Sequence, residues 1–294
     1  MTASLKKLNA LELAGRLKRS PSEHKGDAGK VILVGGAPGM AGALLLAGNA
    51  CLHLGAGWTI LEMLDPKSAH ACQDHPELMI RLADSDAHSL ITKNQPDVIA
   101  IGPGLGMSSL AKSWLADILS SSQIPIMIDA DALNLIATSA DLLHLLQIRN
   151  QQFPGQSVIT PHPGEAALLL KSTAAHVQEH RIAALQQLVD LTQSIVVLKG
   201  QHTLITSPGN SIFQCEEGNP GMATGGMGDV LTGSIAALAA QGMRHQLSLW
   251  DATGIAVQLH AVAADSLVNQ GIGPIGLTPS ETISEMRSLL NKLL

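Results

Sequence analysis

Short, unbroken apolar runs that end directly in glycine, proline, aspartate or lysine constrain the fold of this chain more than any other feature. Val31–Val34 runs into Gly35-Gly36, and Asp97–Ile101 into Gly102-Pro103-Gly104-Leu105-Gly106. Pro125–Ile128 ends at Asp129, Ser157–Ile159 at Thr160-Pro161-His162-Pro163-Gly164, and Ile195–Leu198 at Lys199-Gly200. A strand that is apolar at successive positions has to be covered on both faces, which is the signature of a parallel sheet. Helix-like stretches separate these runs, at Ala41–Leu54, Leu110–Leu119, Glu165–Lys171 and His176–Leu191, and Trp58–Met63 reads as a further strand. The alternation predicts an α/β fold with a central, mainly parallel sheet and helices on both faces. The last third differs. Ile195–Leu198, His202–Thr206 and Ser211–Gln214 read as a hairpin-like series, and only helices follow, over Asp229–Gln241, Leu247–Asn269 and Pro279–Leu293. A short helix is expected near Leu11–Leu17. With no linker, low-complexity segment or repeat, residues 1–294 read as one catalytic domain with its core at about 25–290.

Composition narrows the functional classes. The 294 residues are 46% hydrophobic and 14% charged, too apolar for a disordered chain, and the net charge of −6 comes without any basic stripe. Two Phe, three Trp and no Tyr leave few platforms for stacking bases. Nucleic acid is therefore not an expected partner. There is no apolar stretch long enough to span a membrane, and none at the start that reads as a signal peptide. Cys51, Cys72 and Cys215 form no C-x-x-C pair, which argues against a zinc site or disulfide framework and fits a reducing cytoplasm.

In parallel sheets ligands bind beyond the carboxyl ends of the strands. The glycine-, proline- and aspartate-rich clusters Gly35-Gly36, Gly102–Gly106, Asp129–Asn134, Thr160–Glu165 and Lys199–Thr203 all fall there. Each alone is also ordinary turn chemistry. The sharpest segment is Glu217-Gly218-Asn219-Pro220-Gly221-Met222-Ala223-Thr224-Gly225-Gly226-Met227-Gly228-Asp229, followed by a long apolar helix. Glycine-rich backbone opening a helix is an anion cradle, because free N–H groups and the helix dipole point at the ligand. It is neither a Walker loop nor an early dinucleotide fingerprint. Asp229 is then either a general base beside the cradle or simply the N-cap of the helix.

These motifs together resemble a known family. Gly225-Gly226-Met227-Gly228-Asp229 resembles the G-T-G-D anion hole of ribokinase-like kinases, with Met227 where the family usually has Thr. Lys25-Gly26 to Gly42-Ala43, Pro96-Asp97 to Gly106, Asp129-Ala130-Asp131-Ala132-Leu133-Asn134, Thr160 to Glu165 and Leu198-Lys199-Gly200-Gln201-His202-Thr203 occur in the order seen in ADP/ATP-dependent NAD(P)H-hydrate dehydratases. The resemblance implies a ribokinase-like fold and a lyase. Such an enzyme uses ADP or ATP to phosphorylate the C6 hydroxyl of hydrated NADH or NADPH, and eliminates phosphate to restore the reduced cofactor. It implies Asp229 as the catalytic base. Substrate contacts would come from Ala43, Gly104, Gly106, His162 and Asp229, and AMP contacts from Lys199, Gly200, Gln201, His202, Thr203 and Gly228. Gly226, Met227 and Gly228 would form the anion hole through their backbone.

Asp129, Asp131, Asn134, Glu165 and Asn219 are placed around this centre. Asp131 is equally readable as the cap of a helix starting at Ala132, and Glu165 either helps to hold Mg²⁺ through water or is instead a first-turn helix glutamate. Mg²⁺ is expected with the nucleotide, without a dedicated metal cage. His53 and His260 receive no role. The resemblance further implies a homo-oligomer, specifically a homotetramer, and a separate epimerase, since only some two dozen residues precede the first core strand. The alternatives are a small-molecule kinase of the same fold, of hydroxyethylthiazole or hydroxymethylpyrimidine type, and a non-catalytic nucleotide sensor.

Overall fold

The computed structural model describes residues 5–70, 75–83, 86–121 and 123–294; Cys72 lies outside them. In chain order the strands are β1 (Leu5–Lys7), β2 (Lys30–Gly35), β3 (Trp58–Met63), β4 (Met79–Leu82), β5 (Val98–Ile101), β6 (Ile126–Ile128), β7 (Ser157–Ile159), β8 (Ile195–Leu198), β9 (Leu204–Thr206) and β10 (Ile212–Gln214). They form one sheet in the order β1-β10-β9-β8-β7-β6-β5-β2-β3-β4. Only the two pairings made by β9 are antiparallel; the other seven are parallel. The expected mainly parallel sheet with a hairpin-like series after β8 is what forms.

Successive strand residues point to opposite faces. Val31, Leu33, Val98, Ala100, Met127, Val158 and Val197 therefore join one apolar cluster, with the helices Ala41–His53, Met227–Gly242, Leu249–Asn269 and Pro279–Leu293. Ile32, Val34, Ile99, Ile101, Ile126, Ile128, Ile159 and Val196 join the other, with helices that include Ser109–Ser120 and Arg181–Thr192. Each fully buried Ile, Leu or Val contributes roughly 1.5–3 kcal/mol. Met227–Gly242 lies deepest, with nearly every side chain buried. It approaches Ala41–His53 so closely that a Cβ on Gly233 would sit 1.9 Å from the Ala47 carbonyl oxygen. This packing holds the start of the helix in place.

Several elements differ from the sequence reading. The edge strands β1 and β4 were not expected: β1 is exposed and exists by pairing with β10. The stretch read as one helix over His176–Leu191 is two, Ala174–Glu179 and Arg181–Thr192. The helix after β6 begins at Ala130, two residues before the expected Ala132, and runs to Thr138. Its N-cap is Asp129, so the reading of Asp131 as the cap is corrected.

Candidate active site

The sheet order reverses between β2 and β5, the chain winding outward to β3 and β4 on one side and to β6, β7 and β8 on the other. A crevice opens at the carboxyl ends of strands around such a switch point. Gly35-Gly36, the Gly102–Gly106 loop and Asp129 all lie there. The two glycine segments are joined by Gly36 N to Pro103 O at 3.1 Å and Ala37 N to Gly104 O at 2.7 Å. Gly106 N donates to Asp131 Oδ2 at 2.8 Å, and Asn134 Nδ2 to Asp131 Oδ1 at 3.4 Å. Asp131 thus anchors the loop after β5. Between the two aspartates, Ala130 holds φ 48, a left-handed conformation that costs a non-glycine residue roughly 1–2 kcal/mol.

The centre is an ion pair between a buried carboxylate and a half-buried ammonium. Lys199 Nζ donates to Asp129 Oδ1 at 2.7 Å, and Thr232 Oγ1 donates to Asp129 Oδ2 at 2.8 Å. Glu165 Oε2 lies 3.9 Å from the same ammonium. Burial alone would lower the pKa of Lys199, but the Asp129, Glu165 and Asp229 carboxylates outweigh it and hold the lysine above its ordinary value. A Cβ built on Gly228 would lie 3.3 Å from Lys199 Nζ, so the ammonium rests against the first turn of Met227–Gly242.

That turn begins at Gly226, the N-cap, with φ 98 and a Cβ position 2.5 Å from Leu46 Cδ1. Only glycine satisfies both conditions. Asp229, three residues on, is therefore not the N-cap, and the capping alternative is corrected. Burial, then the neighbouring Asp129, pushes its carboxyl up to about 7; Lys199 opposes this, and Asp131 and Glu165 add to it. Burial likewise pushes Glu165 up to about 7 against the pull of Lys199. Three carboxylates, Asp129, Glu165 and Asp229, thus share one ammonium, and burial holds two of them, Glu165 and Asp229, up to about 7. Met227 turns away from this centre and packs with Ala264, Leu267, Leu277 and Met222. Whatever a hydroxyl would do at that position, the methionine does not replace it from inside the site.

His162 caps the helix Pro163–Leu169. Its Nδ1 accepts from Gly164 N at 2.9 Å and Glu165 N at 3.3 Å, while His162 N donates to Glu165 Oε2 at 2.7 Å. Glu165 is the matching glutamate of that capping box, as its first-turn reading had it. The histidine ring remains 55% exposed, so a face is open to a ligand. Ala43 adjoins Gly104, whose Cβ position is 3.2 Å from the alanine methyl. Gln201 and His202 are exposed at the tip of the loop between β8 and β9, and Thr203 Oγ1 donates to Gly200 O at 3.1 Å. Asn219 Oδ1 accepts from Gly221 N at 3.0 Å, and its Nδ2 donates to Asp265 Oδ1 at 2.9 Å. It shapes the glycine-rich loop without reaching the ion pair.

Sequence reasoning missed three residues. Thr232 lies one turn after Asp229, a spacing that marks a shared helix face. Asp265 and Arg181 carry no local signal: Asp265 reaches the glycine-rich loop from the helix Leu249–Asn269, and Arg181 reaches the loop after β8 from the start of the helix before that strand.

The model of the NAD(P)H-hydrate dehydratase family matches residues 31–287. The chain belongs to this family. An ADP-dependent (S)-NAD(P)H-hydrate dehydratase of Neisseria meningitidis is 37% identical over 279 residues, covering 94% of this chain and 89% of that protein. A bifunctional NAD(P)H-hydrate repair enzyme of Coxiella burnetii is 38% identical, covering 93% of this chain and 53% of its own length. The chain spans about half the length of the first bifunctional relatives it matches. An ADP/ATP-dependent NAD(P)H-hydrate dehydratase of Bacillus subtilis, co-crystallised with ATP and Mg²⁺, superposes with a TM-score of 0.83 at 23% identity over all of both chains. The fold is the ribokinase-like one that the motifs implied.

Proposed function

We propose that this chain dehydrates hydrated NADH and NADPH back to the reduced cofactors, consuming ADP or ATP. The observation that carries this reading is Asp229: a carboxyl poised near neutrality on the first turn of a glycine-opened helix, with the Lys199 ammonium against the same turn. A general base works best when its pKa lies close to the ambient pH. Asp229 takes the proton of the C6 hydroxyl as that oxygen bonds to the terminal phosphorus and the phosphorus–oxygen bond to the nucleotide breaks. The N–H groups of Gly226, Met227 and Gly228 and the ammonium of Lys199 receive charge on the phosphoryl oxygens. Phosphate then leaves C6 as a proton leaves the neighbouring ring carbon. The Lys199–Thr203 loop holds the AMP part, and Ala43, Gly104, Gly106 and His162 face the hydrate.

A magnesium ion would supply charge neutralisation on the nucleotide phosphates. The residues fit an ion carried in on those phosphates. Asp129 has both oxygens engaged by Lys199 and Thr232, and Glu165 Oε2 accepts from His162 N, so what the site offers a cation is the excess of carboxylates over the single Lys199 ammonium. Among the described residues no cluster of three or more His, Cys, Asp or Glu forms a cage.

We further take residues 1–294 as one catalytic unit, since a single sheet draws on segments from Leu5 to Gln214 and is backed by helices to Leu293. We place it in the cytoplasm. Among the described residues no helix is long and apolar enough to cross a membrane, and Cys51 and Cys215 are buried free thiols. A homotetramer and an epimerase acting on the same substrate pool complete the proposal; the bifunctional relatives support the second.

The test is to incubate the protein with hydrated NADH, ADP and Mg²⁺ and follow NADH absorbance and phosphate release. Equal amounts of NADH, AMP and phosphate are expected. A stable phosphorylated thiazole or pyrimidine alcohol, with no action on the hydrate, would overturn the reading in favour of a kinase.

A further inference from the structure

The loop proposed to grip the nucleotide is exposed on one side, with Gln201 and His202 open to solvent. What shapes it lies underneath. Arg181, the first residue of the helix Arg181–Thr192, extends its guanidinium beneath the loop. Nη2 donates to Leu198 O at 3.0 Å and to His202 O at 3.5 Å, while Nη1 donates to Lys199 O at 3.2 Å and to Gln178 Oε1 at 3.0 Å. The planar fork therefore joins the end of β8 to both sides of the turn. Gly200 permits this approach, because with φ 133 its Cβ would lie 2.8 Å from Arg181 Nη1.

The directions of these bonds matter. In a trans peptide the carbonyl of one residue and the N–H of the next point opposite ways. Turning the Leu198 carbonyl toward Arg181 sends Lys199 N away from it, where it donates to Pro161 O at 2.9 Å. By the same geometry, the Lys199 and His202 carbonyls held by Arg181 turn the N–H groups of Gly200 and Thr203 away from the guanidinium, toward the open side of the loop. We infer that Arg181 is a positioning residue for nucleotide binding: it pins three carbonyls so that the Gly200 and Thr203 amides are presented as donors to the nucleotide. A charged group whose bonded partners here are neutral carbonyls and an amide is a costly way to pack a helix end. Burial already lowers the pKa of this guanidinium. The inference rests on the reading of Lys199–Thr203 as the nucleotide loop.

The experiment uses the full chain carrying Arg181→Ala, Arg181→Lys or Lys199→Ala, with ADP titrated by calorimetry and steady-state constants measured for ADP and hydrated NADH. Arg181→Ala is expected to bind ADP about tenfold more weakly, about 1.4 kcal/mol, with KM for ADP raised in step. The kcat at saturating ADP and KM for the hydrate should stay near those of the unaltered protein. Arg181→Lys, which lacks the planar fork, should fall between. Added guanidinium chloride at low millimolar concentration should tighten ADP binding to Arg181→Ala but not to Lys199→Ala. A folded Arg181→Ala with unchanged ADP affinity, while Lys199→Ala binds poorly, overturns the role of Arg181, even if its melting temperature has dropped. If neither variant alters ADP binding, the nucleotide reading of the loop has failed instead. Should Arg181→Ala not fold, an Arg181→Lys protein with unchanged KM for ADP overturns the inference.

Discussion

The two ends of the sheet are different kinds of place. Beyond the carboxyl ends of β5 to β8, three carboxylates crowd one half-buried ammonium beside a glycine-opened helix. At the amino ends of β7 and β8 an open groove of about 580 Å³ is lined by side chains such as Asn150, Gln156, Gln193, Ser207 and Trp250, with no ionisable group in its lining. That volume would suit a small molecule. Yet the features that do chemistry, carboxyl groups driven from their ordinary values by burial and by one another, all lie at the other end. What distinguishes the carboxyl end is not hollow volume but carboxyl groups raised by burial and by one another around a single ammonium.

The comparison breaks first at Asp229. Asp229→Asn keeps size and removes the proton acceptor together with its charge, and with Gly226 as the N-cap no capping bond is lost. Turnover should fall roughly 10²–10⁴-fold, the range for a positioned acid or base. ADP affinity should hold or tighten as a negative charge leaves the phosphate site. Calorimetry and single-turnover rates on folded protein decide this, and near-normal turnover would refute the catalytic assignment.

Lys199→Ala comes next. It removes the ammonium from the helix turn and leaves Asp129, 1% exposed, with Thr232 as its remaining hydrogen-bond donor. Breaking a buried pair from one side costs about 3–5 kcal/mol. A large drop in melting temperature should therefore accompany weakened ADP binding. Loss of stability without loss of ADP affinity would make Lys199 a purely structural ion.

How much of this contrast was visible beforehand depends on what each residue answers to. The strands β2, β5, β6, β7 and β8 were legible because burial on both faces imposes continuous apolar runs. The glycine loop and Asp229 were legible because an anion cradle at a helix start needs small residues in sequence. β1 was not, because three exposed residues become a strand only through pairing with β10. Nor was the side chain of Met227, whose direction depends on Ala264, Leu267 and Leu277 from distant segments. The Asp129–Lys199–Thr232 connection joins residues 70 and 103 positions apart, a closeness that only the folded sheet creates.

The pH response should separate the two ends more gently. The Asp229 carboxyl, ordinarily titrating near 3.8, is held up to about 7 in the fold. Between those values the native state binds a proton that the unfolded chain has lost. Stability from this group therefore falls as pH rises from about 4 to about 7 and is level above. Asp229→Asn removes the penalty. It should melt above the unaltered protein at pH 8, by about 2–4 °C for each kcal/mol released, and at the same temperature near pH 4. In the unaltered enzyme kcat/KM should decline below about pH 7, as the base becomes protonated. A melting difference that persists at pH 4 would mean the gain is not electrostatic.

The smallest effect is expected at the groove. Trp250 lines it and meets Phe213 edge to face, with ring centroids 5.8 Å apart at 61°. Such a pair is worth about 0.5–1.5 kcal/mol beyond the area it buries. Trp250→Leu should lower the melting temperature by a few degrees. Because the groove holds no titratable group and lies at the opposite end of the strands from Asp229, kcat and both KM values should stay near those of the unaltered protein, although Trp250 packs against the core. A selective rise in KM for ADP or for the hydrate in this variant would show that the uncharged end communicates with the charged one. The division of labour between the two ends would then have to be abandoned, whatever the outcome at Asp229.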